Sequence, residues 1–107
     1  MLHLFLIVLT LFVTGCEMLR GEPRIDGSTH DSYHASLGVL LEGLSTTEKE
    51  DVVESIMFIR AFDENGKLLT ANDPDEQLRK DMNGKTRAEI LQTGHRRYEL
   101  SKLATGS

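Results

Sequence analysis

Residues 45–62, STTEKEDVVESIMFIRAF, decide the fold of this chain. Ser45 and Glu48 form the two ends of a capping box, in which each side chain accepts a hydrogen bond from a free backbone N–H of the first helical turn. Apolar side chains then recur at helical spacing, namely Val52, Val53, Ile56, Met57 and Ile59. The stretch therefore predicts a helix with one apolar face.

The end of this stretch leaves an alternative open. Residues 56–62 are rich in residue types that favour strands, and they could pair with residues 67–70 across the turn sequence at 63–66, DENG. A continued helix followed by a loop and a β-hairpin are thus both compatible with residues 56–70. We favour the helix.

A second helix is predicted before this stretch. Ser28 and Asp31 resemble a capping box, and one apolar stripe follows, made by Tyr33, Leu37, Leu40, Leu41 and Leu44. Since Leu44 directly precedes Ser45, the two helices should form a short helical hairpin.

Two more helices are predicted towards the end of the chain. Asp73 and Pro74 favour a helix start that should run to about Met82, because aspartate caps the first turn and proline fits its first position. Asn83 and Gly84 stop that helix, and residues 86–89, TRAE, form a further capping box. The expected fold class is therefore all-α, a small bundle of three to four short helices.

The first fifteen residues, MLHLFLIVLTLFVTG, contain no Asp, Glu, Lys or Arg. Their apolar run suits the core of a signal peptide, roughly 7 to 15 residues long, and is shorter than the about 20 residues that span a bilayer. The run ends in Val13-Thr14-Gly15-Cys16, which resembles a bacterial lipobox. This resemblance implies recognition of residues 13–15 by a signal peptidase, cleavage before Cys16, and lipid on Cys16, with a diacylglyceryl group on its sulfur and an acyl chain such as palmitate on its amine.

The expected organisation has three parts. Residues 1–15 form a cleaved lipoprotein signal peptide, residues 16–27 a lipid-anchored cysteine with a flexible tether, and residues 28–107 a small helical domain. The net charge of −5 and the scattered basic residues argue against nucleic acid as a partner, and also against a domain lying flat on anionic lipid. We expect a domain that stands off the membrane on its anchor.

Four stretches behind the lipobox are similar, in their order, to a family of small bacterial lipoproteins that is classed as a domain of unknown function. They are residues 24–28, 33–44, 45–62 and 83–90. The resemblance implies a small helical fold and no known activity. Glu17, rather than aspartate, follows the cysteine, which favours the outer membrane, facing the periplasm, over retention in the inner membrane.

Few residues carry a pattern for chemistry. His30 and His34 stand one helical turn apart, a spacing that can hold zinc, although a solvated helix face is the favoured interpretation. The Gly-Lys-Thr sequence at 84–86 lacks the earlier glycine of a phosphate-binding loop, so no nucleotide is expected, and we interpret it as a helix stop and cap. No cofactor and no catalysis are predicted.

Together these features predict a non-catalytic envelope lipoprotein that contacts proteins or cell-wall material. The alternative is a periplasmic lipoprotein that binds a metal or small ligand through His30 and His34.

Overall fold

A computed structural model describes residues 22–105 and has four helices in this part of the chain. Their bounds are α1, His30–Leu41; α2, Thr46–Ala61; α3, Pro74–Met82; and α4, Arg87–Thr105. The predicted all-α bundle is confirmed. The predicted leader, Cys16 and the lipobox lie outside the described residues. None of the helices within 22–105 combines the length and the apolar character needed to cross a bilayer.

The centre of the fold is a parallel pair of helices, α2 and α4. Near their first turns, Arg87 Nη1 lies 2.8 Å from Glu48 Oε2, and near the end of α2, Arg97 Nη1 lies 2.9 Å from the Phe62 carbonyl oxygen. The two helices approach closely because Gly94 has no side chain: a Cβ there would lie 2.6 Å from the Cβ of Ser55. Helix α3 connects them.

Side chains from all four helices and from the segment before α1 form one core. Its buried apolar members are Ile25, Tyr33, Leu40, Val52, Ile59, Leu78, Met82 and Ile90. The apolar face predicted for α2 is correct for Val52 and Ile59, but it is wrong for Val53 and Met57, which are 47% and 63% exposed. The core-facing side of α2 turns towards Ser55 and α4, which leaves these two side chains outside.

The predicted capping boxes of α2 and α4 are confirmed. Ser45 Oγ accepts from the Glu48 N–H at 3.2 Å while Glu48 Oε1 accepts from the Ser45 N–H at 3.1 Å. Thr86 and Glu89 make the same reciprocal pair at 3.2 and 3.3 Å. Both glutamate pKa values are lowered, because the backbone N–H of the capping residue and then its side chain donate to the carboxylate.

Of the other two predicted helix starts, one is correct and one is wrong. Asp73 caps α3 as predicted, since its carboxylate accepts from the Glu76 N–H at 3.1 Å. The predicted start of α1 is wrong by one residue, because the cap is Thr29, whose Oγ1 accepts from the Ser32 N–H at 3.0 Å. Ser28 is engaged elsewhere: its hydroxyl donates to Asp26.

The alternative for residues 56–70 is settled in favour of the helix. Helix α2 continues to Ala61. The segment after it does not form a hairpin of two strands, but a single isolated antiparallel bridge between Phe62 and Leu68. The turn between them is held by Asp63, whose Oδ1 accepts from the N–H groups of Asn65 and Lys67 at 2.8 and 3.0 Å.

The tether predicted over residues 16–27 is wrong in its last four residues. Ile25 is only 2% exposed. Its N–H donates to the Lys85 carbonyl at 3.0 Å, and its own carbonyl accepts from the Gly84 N–H at 2.8 Å. Gly27 is also buried, and its N–H donates to Asn83 Oδ1 at 2.9 Å. The packed domain therefore begins by residue 24, because this short segment pairs with the α3–α4 connection.

Candidate functional site

The two histidines singled out in the sequence lie together on the exposed surface of α1. The ring centroids of His30 and His34 are 4.3 Å apart, in an edge-on arrangement. Between residues 22 and 105, no group of three or more His, Cys, Asp or Glu side chains is placed to hold a metal ion. The pair thus supplies at most two ligands from the described chain.

The Gly-Lys-Thr sequence at 84–86 forms the junction between α3 and α4. Gly84 has a φ of 80°, a backbone conformation that glycine adopts readily at the end of a helix. The Thr86 hydroxyl donates to Glu89 Oε1 at 3.1 Å. The interpretation as a helix stop followed by a helix cap is confirmed.

A buried arginine in α4 organises one cleft, which we call the Arg97 cleft. Arg97 is 4% exposed. Its Nη1 lies 2.9 Å from the carbonyl oxygens of Ile59 and Phe62, and 3.3 Å from Asp81 Oδ2. Those carbonyls belong to the last turn and the C-cap of α2, which has no further backbone N–H to satisfy them. The guanidinium therefore caps α2 and joins it to α3 and α4.

The Arg97 cleft has a volume of about 440 Å³ and lies between the turn after α2, α3 and α4. Arg97, Asp81 and Asp63 in this cleft all have hydrogen-bond partners within the fold. Gln77 Nε2 donates to the second oxygen of Asp81 at 3.1 Å. Backbone hydrogen bonds from Lys67 and then Asn65 lower the pKa of Asp63. The polar side chains of this cleft thus stabilise the fold.

A second concavity runs between α2 and α4 on another face, with a volume of about 500 Å³; we call it the α2–α4 groove. It is lined by Asp51, Glu54, Ser55 and Phe58 of α2 and by Leu91, Gln92, His95 and Tyr98 of α4. Phe58 and Tyr98 stack with centroids 4.5 Å apart and ring planes 18° apart. Both rings are half-buried, so the groove has an aromatic floor that solvent reaches.

The rim of the α2–α4 groove on the α2 side is acidic. Asp51 and Glu54 are exposed, and neither forms an ion pair within the described part of the chain. On the α4 side, Lys102 Nζ lies 4.3 Å from the centroid of Tyr98 and 3.4 Å from Glu99 Oε1. The stacked rings thus already carry one ammonium group on the Tyr98 side.

Sequence reasoning missed both concavities. The Arg97 cleft depends on a basic residue that the sequence places next to another arginine, Arg96, and nothing local distinguishes the two. For the groove, the available signal was the small pair Ser55 and Gly94, which permits close approach of two helices. Comparisons of the chain with protein-family models, with curated proteins and with solved structures find no match.

Proposed function

We propose that this chain is a bacterial envelope lipoprotein, attached to a membrane by lipid on Cys16, whose helical domain acts by contact with envelope proteins or cell-wall material. The observation that carries the proposal is Val13-Thr14-Gly15-Cys16, directly behind twelve residues that include no Asp, Glu, Lys or Arg. Each buried methylene of a lipid contributes about 0.8 kcal/mol, so two or more acyl chains would hold the protein stably. As in the expectation from Glu17, the outer membrane facing the periplasm is favoured.

The packing of residues 24–27 bears on how such an anchor would hold the domain. From Cys16 to Arg24 there are 24 − 16 = 8 residue steps, which span at most roughly 26–29 Å. Arg24 Nη1 donates to the Gly84 carbonyl at 2.8 Å and lies 3.3 Å from Glu89 Oε1, beside the first turn of α4. The anchor would therefore lead to the end of the fold where α2 and α4 begin.

Both concavities lie further along α4 than this attachment point. From Glu89 to Tyr98 is nine residues, about 13 Å of helix. The net charge of −5 disfavours contact of the domain with anionic headgroups, and attachment beside the first turn of α4 favours an orientation in which these surfaces lie further from the membrane. A surface held in that way is suited to contact with other envelope components.

Substitution of the cysteine tests the anchor. In cells fed an alkyne analogue of palmitate, we expect Cys16→Ser to lose the lipid label, remain at precursor mass and leave the membrane fraction. Thr14→Ser is the matched control, since it keeps a small residue at its lipobox position and should be labelled and processed normally. Normal processing and membrane retention of Cys16→Ser would contradict the proposal.

Binding of a metal or small ligand through His30 and His34 is the second candidate, and the observation that favours it is the 4.3 Å separation of their rings. A further ligand would have to come from water or a partner. Relative to the unchanged chain, the affinity for zinc measured by titration should then fall in His30→Ala/His34→Ala. It should not fall in His95→Ala, which removes another exposed imidazole. Equal zinc affinity in all three proteins would exclude this candidate.

A further inference from the structure

The floor of the α2–α4 groove is an aromatic surface that solvent reaches, with Lys102 of the described chain over the Tyr98 ring. Phe58 and Tyr98 are stacked and half-buried, and Leu91 extends the floor towards the start of α4. Exposed Met57 lies one turn beyond Glu54 on α2 and adds apolar area outside the rim. An occupant must therefore bring apolar or aliphatic groups.

The rim of the groove selects the charge of that occupant. Asp51 and Glu54 are three residues apart on α2, so their Cβ atoms are neighbours about 5–6 Å apart on one helix face. Arg87 and Lys102 of α4 are paired with other glutamates, Arg87 with Glu48 at 2.8 Å and Lys102 with Glu99 at 3.4 Å. Two adjacent uncompensated carboxylates above an apolar floor fit a cationic group on an aliphatic stem.

We infer that the α2–α4 groove binds a basic segment of a partner protein, with a lysine or arginine stem lying on the Phe58–Tyr98 stack and its charged head between Asp51 and Glu54. Lysine and arginine side chains bury their aliphatic stems while keeping the charge in water, and their cations are attracted to aromatic faces. Lys102, 4.3 Å from the Tyr98 centroid, makes such a contact from within the chain. A basic segment would be the partner for the contact function proposed above, on which this assignment rests.

Charge also separates this occupant from others. A nucleic acid or an anionic lipid surface would bring negative charge to the carboxylates of the rim. A second copy of this chain carries a net charge of −5 and would be repelled at long range. A basic protein segment is attracted at long range and fits the floor at short range.

The probe for the test is a short fluorescent peptide of alternating lysine and leucine, with a matched glutamate and leucine peptide, added to the full-length protein in detergent. Fluorescence anisotropy should show that the basic peptide binds and the acidic peptide does not. In Asp51→Asn/Glu54→Gln, we expect affinity for the basic peptide to fall about threefold to tenfold, since exposed ion pairs of this kind are weak individually. Phe58→Leu should weaken binding about twofold to fivefold.

The matched control is Glu42→Gln/Glu64→Gln, which removes the same total charge from exposed carboxylates outside the groove. It should change the affinity less than about twofold. Glu54→Gln alone serves as a second, milder groove variant, and circular dichroism verifies the fold of each protein. Equal loss in both double variants, binding of the acidic peptide, or no binding of the basic peptide overturns the inference. So does concentration-dependent self-association that Asp51→Asn/Glu54→Gln abolishes, because the occupant is then a second copy.

Failure of this inference is distinguishable from failure of the proposed anchor. Peptide binding is measured in solution and does not require lipid, so Cys16→Ser should bind the basic peptide as the unchanged chain does. A protein that is lipidated but does not bind the peptide overturns only the groove assignment. A protein that binds the peptide but is never lipidated overturns only the anchor.

Discussion

Replacing Arg97 with methionine removes a guanidinium that joins α2, α3 and α4. Methionine keeps an unbranched stem but has no donor, so the carbonyls of Ile59 and Phe62 and the carboxylate of Asp81 all lose their charged partner. Removing one member of a buried ion pair costs about 3–5 kcal/mol, because the other charge is left without compensation. We expect about 3 kcal/mol, the lower end, since Asp81 is 19% exposed and keeps its bond from Gln77.

Urea unfolding followed by circular dichroism measures this cost as the change in the free energy of unfolding. Arg96→Met is the matched control, because Arg96 precedes Arg97 directly, is exposed, and forms no ion pair within residues 22–105. The control should stay within about 0.5 kcal/mol of the unchanged chain. Equal unfolding free energies for Arg97→Met and Arg96→Met would refute the role assigned to the buried guanidinium.

A double variant separates the ion pair from the helix cap. In Arg97→Met/Asp81→Asn, residue 81 no longer carries a charge that has lost its partner, so this double variant should be more stable than Arg97→Met alone, although the two α2 carbonyls still lack their donor. If the losses of unfolding free energy in Arg97→Met and Asp81→Asn simply add in the double variant, the two side chains are not coupled. The 3.3 Å contact between Arg97 and Asp81 then does not contribute to stability.

Two further predictions concern α1 and α4. Gly94→Ala should lower the free energy of urea unfolding by about 1–3 kcal/mol, because the new Cβ would lie 2.6 Å from Ser55 atoms. Gly38→Ala, whose new Cβ would have no atom within 4 Å, should raise it by up to about 1 kcal/mol. The opposite order of stability would contradict the packing described. Hydrogen bonds from Thr86 lower the folded-state pKa of Glu89, so its stabilisation is present above the ordinary glutamate pKa of roughly 4.3 and is lost as the pH falls through the lowered value. In Glu89→Gln, unfolding free energy measured against pH should fall less steeply in that acid range, and an unchanged slope would exclude this contribution.

The helix starts could be predicted because each depends on neighbours in the sequence. The reciprocal bonds of Ser45 with Glu48, and of Thr86 with Glu89, join residues three apart, so the pattern contains both partners. The one-residue error at α1 has the same local origin. Ser28 and Thr29 are both good caps, and the choice between them is made by Asp26, which takes the Ser28 hydroxyl.

The inner face of α4 could not be predicted, because its residues do not look apolar. Thr93, Arg97 and Ser101 recur every four residues, and all three are buried. Such a stripe indicates a solvated face until its partners are known. The partners of Arg97 are backbone carbonyls at the end of α2, 35 and 38 residues earlier, and no sequence pattern marks a carbonyl as available.

The α2–α4 groove could not be predicted either, because it also depends on contacts between residues far apart in the sequence. Asp51 and Glu54 indicate only an exposed helix surface by themselves, and Phe58 and Tyr98 indicate only apolar positions. They form a groove because α4 lies parallel to α2, with Gly94 against Ser55. Ile25 was missed for a related reason: a single apolar residue between charged ones shows no period, and its site is provided by the α3–α4 junction.

The parallel arrangement of α2 and α4 also bears on how fast the chain can fold. Neighbouring helices joined by a short loop pack antiparallel, and their contacts can form early in folding. The contacts of a parallel pair can form only after the connecting chain has returned to the end at which the first helix began. Here the contacts that join the pair are 35 to 39 residues apart in sequence. Folding rates fall as such separations grow, because the entropy of closing the loop is lost before the contacts form. We therefore expect slower folding than in an up-and-down bundle of the same length, with Gly94→Ala acting on the step in which the two helices meet.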